Sequence, residues 1–212
     1  MRPESFRPPV TLCGRHLDLV PLEPTHAPAL LLAAGDADVS RYLFDPPGRT
    51  IEETERYVAL LLGRQSAGTD LAFAMRTLPE RTVVGATRFL RIDRENDAVE
   101  IGGTWLDRTH WRTPLNTESK YLLLRHAFAV ERVHRVTIQT DLRNERSLAA
   151  IARLGAIREG IHRGDRRLPT GRFRSSVFFS ILADEWPSVE QRLERLLVRP
   201  WPIPPTPRGE PV

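Results

Sequence analysis

An α/β (α+β) domain, with a mixed sheet and helices on both faces, is the fold that the sequence predicts. Three observations predict it. Short runs in which apolar residues alternate recur along the chain, as at Leu71, Phe73 and Met75, and read as strands. Longer segments with apolar residues three and four apart, such as Ile51 to Ser66, read as amphipathic helices. The length, 212 residues at 41% hydrophobic and 27% charged, suits one domain that buries its own core.

Residues 1–10 are polar and Pro-rich and are expected to be a loose segment before a single domain spanning 11–198. Leu17 to Val20 reads as the first strand. Thr25 to Gly35 and Ile51 to Ser66 read as helices, the second opened by the capping-box pattern Thr50-Ile51-Glu52-Glu53. Leu71, Phe73 and Met75 form a strand, Pro79-Glu80 a turn, and Val83 to Ile92 its partner; Val99, Ile101, Gly103 and Trp105 alternate in a third strand of the meander. A strong helix follows, with Tyr121, Leu122, Leu124, Phe128 and Val130 as apolar positions, ending at Glu131. Val136 and Ile138 mark a short strand, and Asn144 to Leu154 a helix closed by Gly155. Ala156 to Arg163 and Phe173 to Leu182 read as two strands joined by the polar tip GDRRLPTG, and Asp184 to Val198 as a last amphipathic helix. The tail 199–212, RPWPIPPTPRGEPV, has too many prolines for helix or central strand. The order is β α α β β β α β α β β α.

Composition excludes several classes. Cys13 is the only cysteine, which rules out an intrachain disulfide and a cysteine-based metal site. The six histidines show no metal-ligand spacing, so no metal is expected. There is no 18-residue apolar run and no apolar leader in MRPESFRPPV, so no membrane partner is expected and a cytoplasmic location is the expectation. The net charge of +4 is carried almost wholly by arginine, Lys120 being the only lysine. No long basic run marks a nucleic-acid arm.

The segment from Ala98 to Gly155 concentrates the chemistry. Gly102 and Gly103 lie inside a strand, where glycine marks a bulge or a close approach. The turn HWRTPLNTESK (110–120) feeds the N-terminus of a helix, where free N–H groups and the helix dipole favour an anion. Thr113 can cap, and Pro114 suits the first helical position. The N–H groups of Leu115, Asn116 and Thr117 are then available to an anion. Thr113, Asn116 and Thr117 add side-chain donors, and Arg112 adds charge.

The stretches AVEIGGTWL (98–106), WRTPLNTESKYLLLRHAF (111–128), HRVTIQTDLRNERSLAAIARLGAIREG (134–160) and RFRSSVFFSILADEW (172–186) resemble the GNAT acetyltransferase superfamily. The resemblance spans roughly residues 15–185. It is closest to the branch that includes the ribosomal-protein N-terminal alanine and serine acetyltransferases. It implies a mostly antiparallel twisted sheet of about seven strands, splayed where the fourth and fifth family strands part. It further implies that acetyl-CoA lies in that gap, with its pantetheine along the backbone of Thr104, Trp105 and Leu106. The pyrophosphate would sit on the turn from Arg112 to Thr117. Asn144 would hold the pantetheine or acetyl region, and Ser147 would face the thioester sulfur. Glu100 matches the acidic position of the fourth family strand, a candidate base for the acceptor amine; the alternative is an ion pair with Arg88 or Arg91. Tyr42, Leu43 and Phe44 fall where members form an acceptor-side wall.

Two departures stand out. Arg112 and Pro114 fall on glycines of the family turn, with Trp111 leading and Asn116 on its final small residue. Ile151 stands where many members carry an acidic tyrosine, which leaves the Ser147 hydroxyl as the candidate donor to the thiolate. The expected activity is direct acetyl transfer to a primary amine, a protein N-terminus or a small molecule. A CoA-binding or interaction module without catalysis remains the alternative. Trp105 and Trp111 either line the cleft or pack. The cluster Arg163, Arg166, Arg167, Arg172 and Arg174 either draws in an acidic acceptor or forms a solvated hairpin tip. The last helix and tail could pack on a neighbour in a homodimer.

Overall fold

The computed structural model describes Phe6, residues 10–168 and residues 170–201; the segment 1–10 and the tail 199–212 fall largely outside these residues. The elements are β1 (Leu12–Cys13), β2 (Leu17–Pro21), α1 (Ala27–Ala33), α2 (Ala37–Ser40), α3 (Ile51–Ser66), β3 (Leu71–Thr77), β4 (Val83–Asp93), β5 (Ala98–Leu106), α4 (Leu115–Arg125, extended by a π turn His126–Val130), β6 (Arg135–Asp141), α5 (Glu145–Leu154), β7 (Ile157–Arg167), β8 (Phe173–Leu182) and α6 (Trp186–Val198). They form one eight-stranded sheet in the order β1-β2-β3-β4-β5-β6-β8-β7. Every pairing is antiparallel except that of β5 with β6.

The predicted elements are present, with local differences. β1 and α2 are additional, and both are too short, at two and four residues, for periodicity to reveal them. α3 starts as its sequence demands: Thr50 Oγ1 accepts from the N–H of Glu53 at 3.3 Å. The Glu53 carboxylate, however, turns to the N–H of Arg49 at 2.7 Å. Gly155 ends α5 with φ of +102°, a left-handed position that glycine adopts without Cβ strain. The hairpin tip is shorter than GDRRLPTG suggested. Arg166 pairs with Arg174 and Arg167 with Phe173, because the tip's backbone bonds across β7 and β8 despite its polar sequence.

Both faces of the central strands are covered. On β3, Leu71, Phe73 and Met75 join a core cluster with Leu123 and Leu124 of α4 and Val189 and Leu193 of α6. Ala72 and Ala74, on the opposite face, pack with Leu30 of α1 and Tyr57, Val58 and Leu61 of α3. β3 thus offers small side chains to α1 and α3 and large ones to α4 and α6. Phe6 joins the larger-residue cluster, buried against Phe89 with ring centroids 4.8 Å apart. No helix among the described residues is long and apolar enough to cross a membrane.

Candidate active site

The sheet opens at β5. β5 and β6 pair only where Ala98, Val99 and Glu100 meet Arg135, Val136 and Thr137. Beyond Glu100, β5 stays bonded to β4, with Gly102 opposite Arg88, Trp105 opposite Ala86 and Leu106 opposite Gly85. β6 stays bonded to β8 as far as Asp141 opposite Ser176. The two strands therefore part, and the edge of β5 from Ile101 to Leu106 has no strand partner on the β6 side. The register shift between Ala86 and Arg88 coincides with Gly103, whose φ is +56°. A Cβ there would lie 3.1 Å from Arg88 Nε. Glycine is favoured at this bulge both by the left-handed backbone and by the arginine beneath it.

Two helix N-termini flank the gap. At α5, the Asn144 side chain accepts from the N–H of Ser147 at 3.1 Å; it is the helix cap. Ser147 is half-buried, and its hydroxyl has no hydrogen-bond partner among the described residues. At α4 the turn is tighter. Arg112 has φ of +64°, the left-handed backbone that the family's glycine would adopt without strain. The Thr113 hydroxyl donates to the His110 carbonyl at 2.7 Å and accepts from the Leu115 N–H at 3.4 Å. That engages two groups expected to be free for an anion. Thr117 is fully buried, so its side chain does not face outward. The first backbone bond of the helix runs from the Glu118 N–H to the Pro114 carbonyl at 2.9 Å, which leaves the N–H groups of Asn116 and Thr117 without intrahelical acceptors. Of the groups expected to meet an anion, those left unengaged are these two N–H groups, the half-buried Asn116 side chain and the exposed Arg112.

The start of α4 is held from behind by two buried polar side chains. The Glu118 carboxylate accepts the N–H groups of Arg15, His16 and Leu17 at 2.7, 2.7 and 2.9 Å, tying the helix to the chain entering β2. Lys120 is buried and donates from Nζ to Thr104 Oγ1, which shares a hydrogen bond of 2.7 Å with Thr87 Oγ1. Burial pulls the lysine down to about 7. A group that titrates near neutrality therefore sits under the strand residue expected to meet the pantetheine.

On the opposite face lies a polar chain. Glu100 is 5% exposed. Its Oε2 takes Arg91 Nη1 at 3.0 Å and Gln139 Nε2 at 2.8 Å. Burial pushes its carboxyl above the ordinary range, opposed by the charge of Arg91 and the Gln139 hydrogen bond. The pairing with Arg91 weighed in the sequence is present, whereas Arg88 turns to Asp45 at 2.7 Å and Asp70 at 3.3 Å. Gln139 Oε1 in turn accepts from Arg174 Nη2 at 3.1 Å. Arg174 also donates to Ser176 Oγ at 2.8 Å and lies 4.1 Å from the centroid of the Phe44 ring. A cavity of about 420 Å³ opens beside Glu100, lined among others by Arg135, Thr137, Glu159, His162 and Phe178.

Side chains bridge the mouth of the gap. Arg146 of α5 lies 3.3 Å from the ring centroid of Trp111, which precedes α4, and Trp111 Nε1 donates to the Leu106 carbonyl at 2.9 Å. Tyr42 Oη donates to the Arg143 carbonyl at 3.2 Å. Trp105, by contrast, points into the α3 side of the core, where its Nε1 donates to Tyr57 Oη at 3.1 Å. Its backbone alone remains at the gap.

Of the residues expected at the site, Glu100 lines the cavity, Thr104, Trp105 and Leu106 lie on the open edge of β5, Arg112, Thr113, Leu115, Asn116 and Thr117 lie at the start of α4, and Asn144 and Ser147 at the start of α5. The sequence reading did not single out Lys120, Gln139 or Arg146 for the site. For Lys120 a signal was in view, a single lysine in an arginine-rich chain; for Gln139 the position two after Thr137 placed it on the same face. The arginine cluster that the sequence suggests at the hairpin divides: Arg174 is 4% exposed, while Arg163 and Arg167 are exposed. No group of three or more His, Cys, Asp or Glu suited to a metal is found among the described residues.

Comparisons with known proteins agree with this architecture. Residues 16–157 match the family described as Acetyltransferase (GNAT) domain. A structure described as an acetyltransferase from T. thermophilus is 42% identical, with a TM-score of 0.82 over 89% of this chain and 97% of that one. A GCN5-related N-acetyltransferase from Brucella melitensis is 28% identical, with a TM-score of 0.83 over 91% and 87%. Mycobacterium smegmatis RimJ, solved with CoA-disulfide, shares the fold at 19% identity and a TM-score of 0.75 over 85% and 88%. No curated protein matches. With a splayed β5–β6 pair beside a helix N-terminus, and the family's domain matched across it, the chain belongs to the GNAT N-acetyltransferases.

Proposed function

We propose that the protein transfers the acetyl group of acetyl-CoA directly to a primary amine bound over Glu100, a protein N-terminus being one acceptor and a small amine the other. The parting of β5 from β6 after Glu100 carries the reading. An unpaired strand edge can bond a pantetheine arm as an added strand would, and it leads to the N–H groups that open α4. Thr104, Trp105 and Leu106 would contribute backbone to the arm. Asn116, Thr117 and Arg112 would meet the pyrophosphate, with Thr113 and Leu115 shaping the turn.

The amine nitrogen attacks the thioester carbonyl; the C–N bond forms, the C–S bond breaks, and the CoA thiolate leaves. The proton lost by the amine goes to Glu100, directly or through a water. A carboxyl whose proton affinity is raised by burial suits that task. Ser147, aligned by the Asn144 cap at the start of α5, would donate a hydrogen bond to the thiolate.

Calorimetry with acetyl-CoA and CoA tests the first half of the reading. Binding with one site per chain is expected, and no heat and no thermal shift at millimolar acetyl-CoA would overturn it. A CoA-release assay over peptides and small amines, side by side, tests the second half. Binding without transfer to any of them would leave a CoA-binding module instead.

A further inference from the structure

Among the described residues, Arg174 bonds no carboxylate of its own. Its side chain is nine-tenths or more buried. Three carboxylates act on it through their fields: Asp165, Asp141 and Glu100. Two of them are hydrogen-bonded by another arginine, Asp141 by Arg172 at 2.6 Å and Glu100 by Arg91 at 3.0 Å, and Asp165 lies 3.9 Å from its neighbour Arg166. What Arg174 bonds directly is neutral, the Ser176 hydroxyl and the Gln139 amide. Buried charges are ordinarily paired, so this cluster holds one positive charge more than it neutralises, on its most buried arginine.

The surroundings favour a ligand over a purely internal role. Phe44 lies against the guanidinium, and Arg166 also reaches the Phe44 ring at 4.8 Å. Stacking occupies the flat face of a guanidinium and leaves its in-plane donors for other partners. Of five N–H donors, Nε and one on Nη2 are engaged; the others have no partner among the described residues. Gln139 then separates this cation from the Glu100 carboxylate by one amide. A base and a cation one amide apart match a molecule whose amine and carboxylate are a few bonds apart.

We infer that Arg174, held by Gln139 and Ser176, is the seat for a carboxylate carried close to the acceptor's amine, so that the preferred acceptor is an amino acid or a peptide whose first residue is acidic. The inference rests on the reading of Glu100 as the place where the acceptor amine arrives. A planar guanidinium fork pairs with a carboxylate through two parallel hydrogen bonds, and the acceptor's charge would complete the neutralisation that the chain leaves open.

The test uses amines paired to differ only in the carboxylate. β-Alanine is compared with propylamine, and an amidated peptide beginning with Asp with one beginning with Asn. Binding is read by calorimetry with CoA present, and turnover by CoA release. The expected result is a preference of about ten- to a hundredfold for the anionic member of at least one pair, the size of a charge-assisted hydrogen bond. Which pair shows it tells a free amino acid from a peptide. Arg174→Met should abolish the preference and Arg174→Lys reduce it, both with acetyl-CoA affinity unchanged. Equal binding within both pairs, no binding by any member, or a preference that survives in Arg174→Met would overturn the inference. The wild-type comparison decides even where a variant does not fold. Failure of acetyl-CoA to bind would instead strike the acetyltransferase reading.

Discussion

The two sides of β5 differ sharply. Toward β4 the strand is bonded along its length, through a bulge that Gly103, Arg88, Thr104, Thr87 and Lys120 surround. Toward β6 it is bonded over three residues and then open. One strand is thus bonded along one side and open along most of the other. The difference teaches that an open edge inside a sheet needs a reinforced partner edge: unpaired backbone groups have to be offset by contacts elsewhere. Thr87, Arg88 and Lys120 are polar or charged and buried, so the reinforcement is built from hydrogen bonds as much as from packing.

The largest effect is expected on the open side. Glu100→Gln should lower kcat/KM by about a hundredfold or more, the usual contribution of a general base, with acetyl-CoA affinity unchanged. The wild-type rate should fall as pH drops through the Glu100 carboxyl. Burial raises that carboxyl, so the fall should come above the ordinary carboxylate range, and the glutamine variant should lack it. An identical pH profile in both proteins would reduce Glu100 to a partner of Arg91.

On the closed side, Lys120 should announce itself in stability. Its folded value of about 7 lies below the roughly 10.4 of an unfolded lysine. Below pH 7 both states carry the proton, and the folded protein bears the whole cost of burying it. Between about 7 and 10.4 the unfolded chain binds more proton than the folded one, so stability should rise with pH, by up to about 1.4 kcal/mol per unit. Lys120→Met should lose that rise. Denaturant melts of both proteins at pH 7 and 9.5 would check it; parallel changes would mean that the amine is charged in the fold.

Smaller effects sharpen the same contrast. Gly103→Ala should destabilise by about 1–2 kcal/mol, through a strained backbone and the contact with Arg88, and should also weaken acetyl-CoA binding if the bulge shapes the gap. Asn144→Ala should cost about 1 kcal/mol for the lost cap. Arg146→Ala should cost least in stability, about 0.5 kcal/mol for an exposed contact with Trp111. A change in acetyl-CoA affinity larger than that would show that the bridge across the mouth controls entry.

The fold was legible because its signals are local. The alternation of β3, the capped start of α3 and the glycine that ends α5 each follow from residues within a few positions of one another. β1 and α2 escaped because two and four residues carry no period, and the hairpin tip was overextended because a polar sequence can still pair. The site was legible in part. Glu100, Asn144 and the α4 turn are local motifs, but the engagement of Thr113 with His110 and the burial of Thr117 depend on how the turn packs.

By itself, the sequence determined the succession of strands and helices, the bulge at Gly102 and Gly103, and a helix start without glycine. Those follow from backbone sterics and the period of apolar residues. Only the tertiary structure decided that the single lysine lies buried under Thr104, and that Arg88 serves Asp45 and Asp70 while Arg91 serves Glu100. Only it separated Arg174 from the solvated arginines of its hairpin. Charge pairing and burial join residues tens of positions apart, and no local pattern encodes which arginine meets which carboxylate.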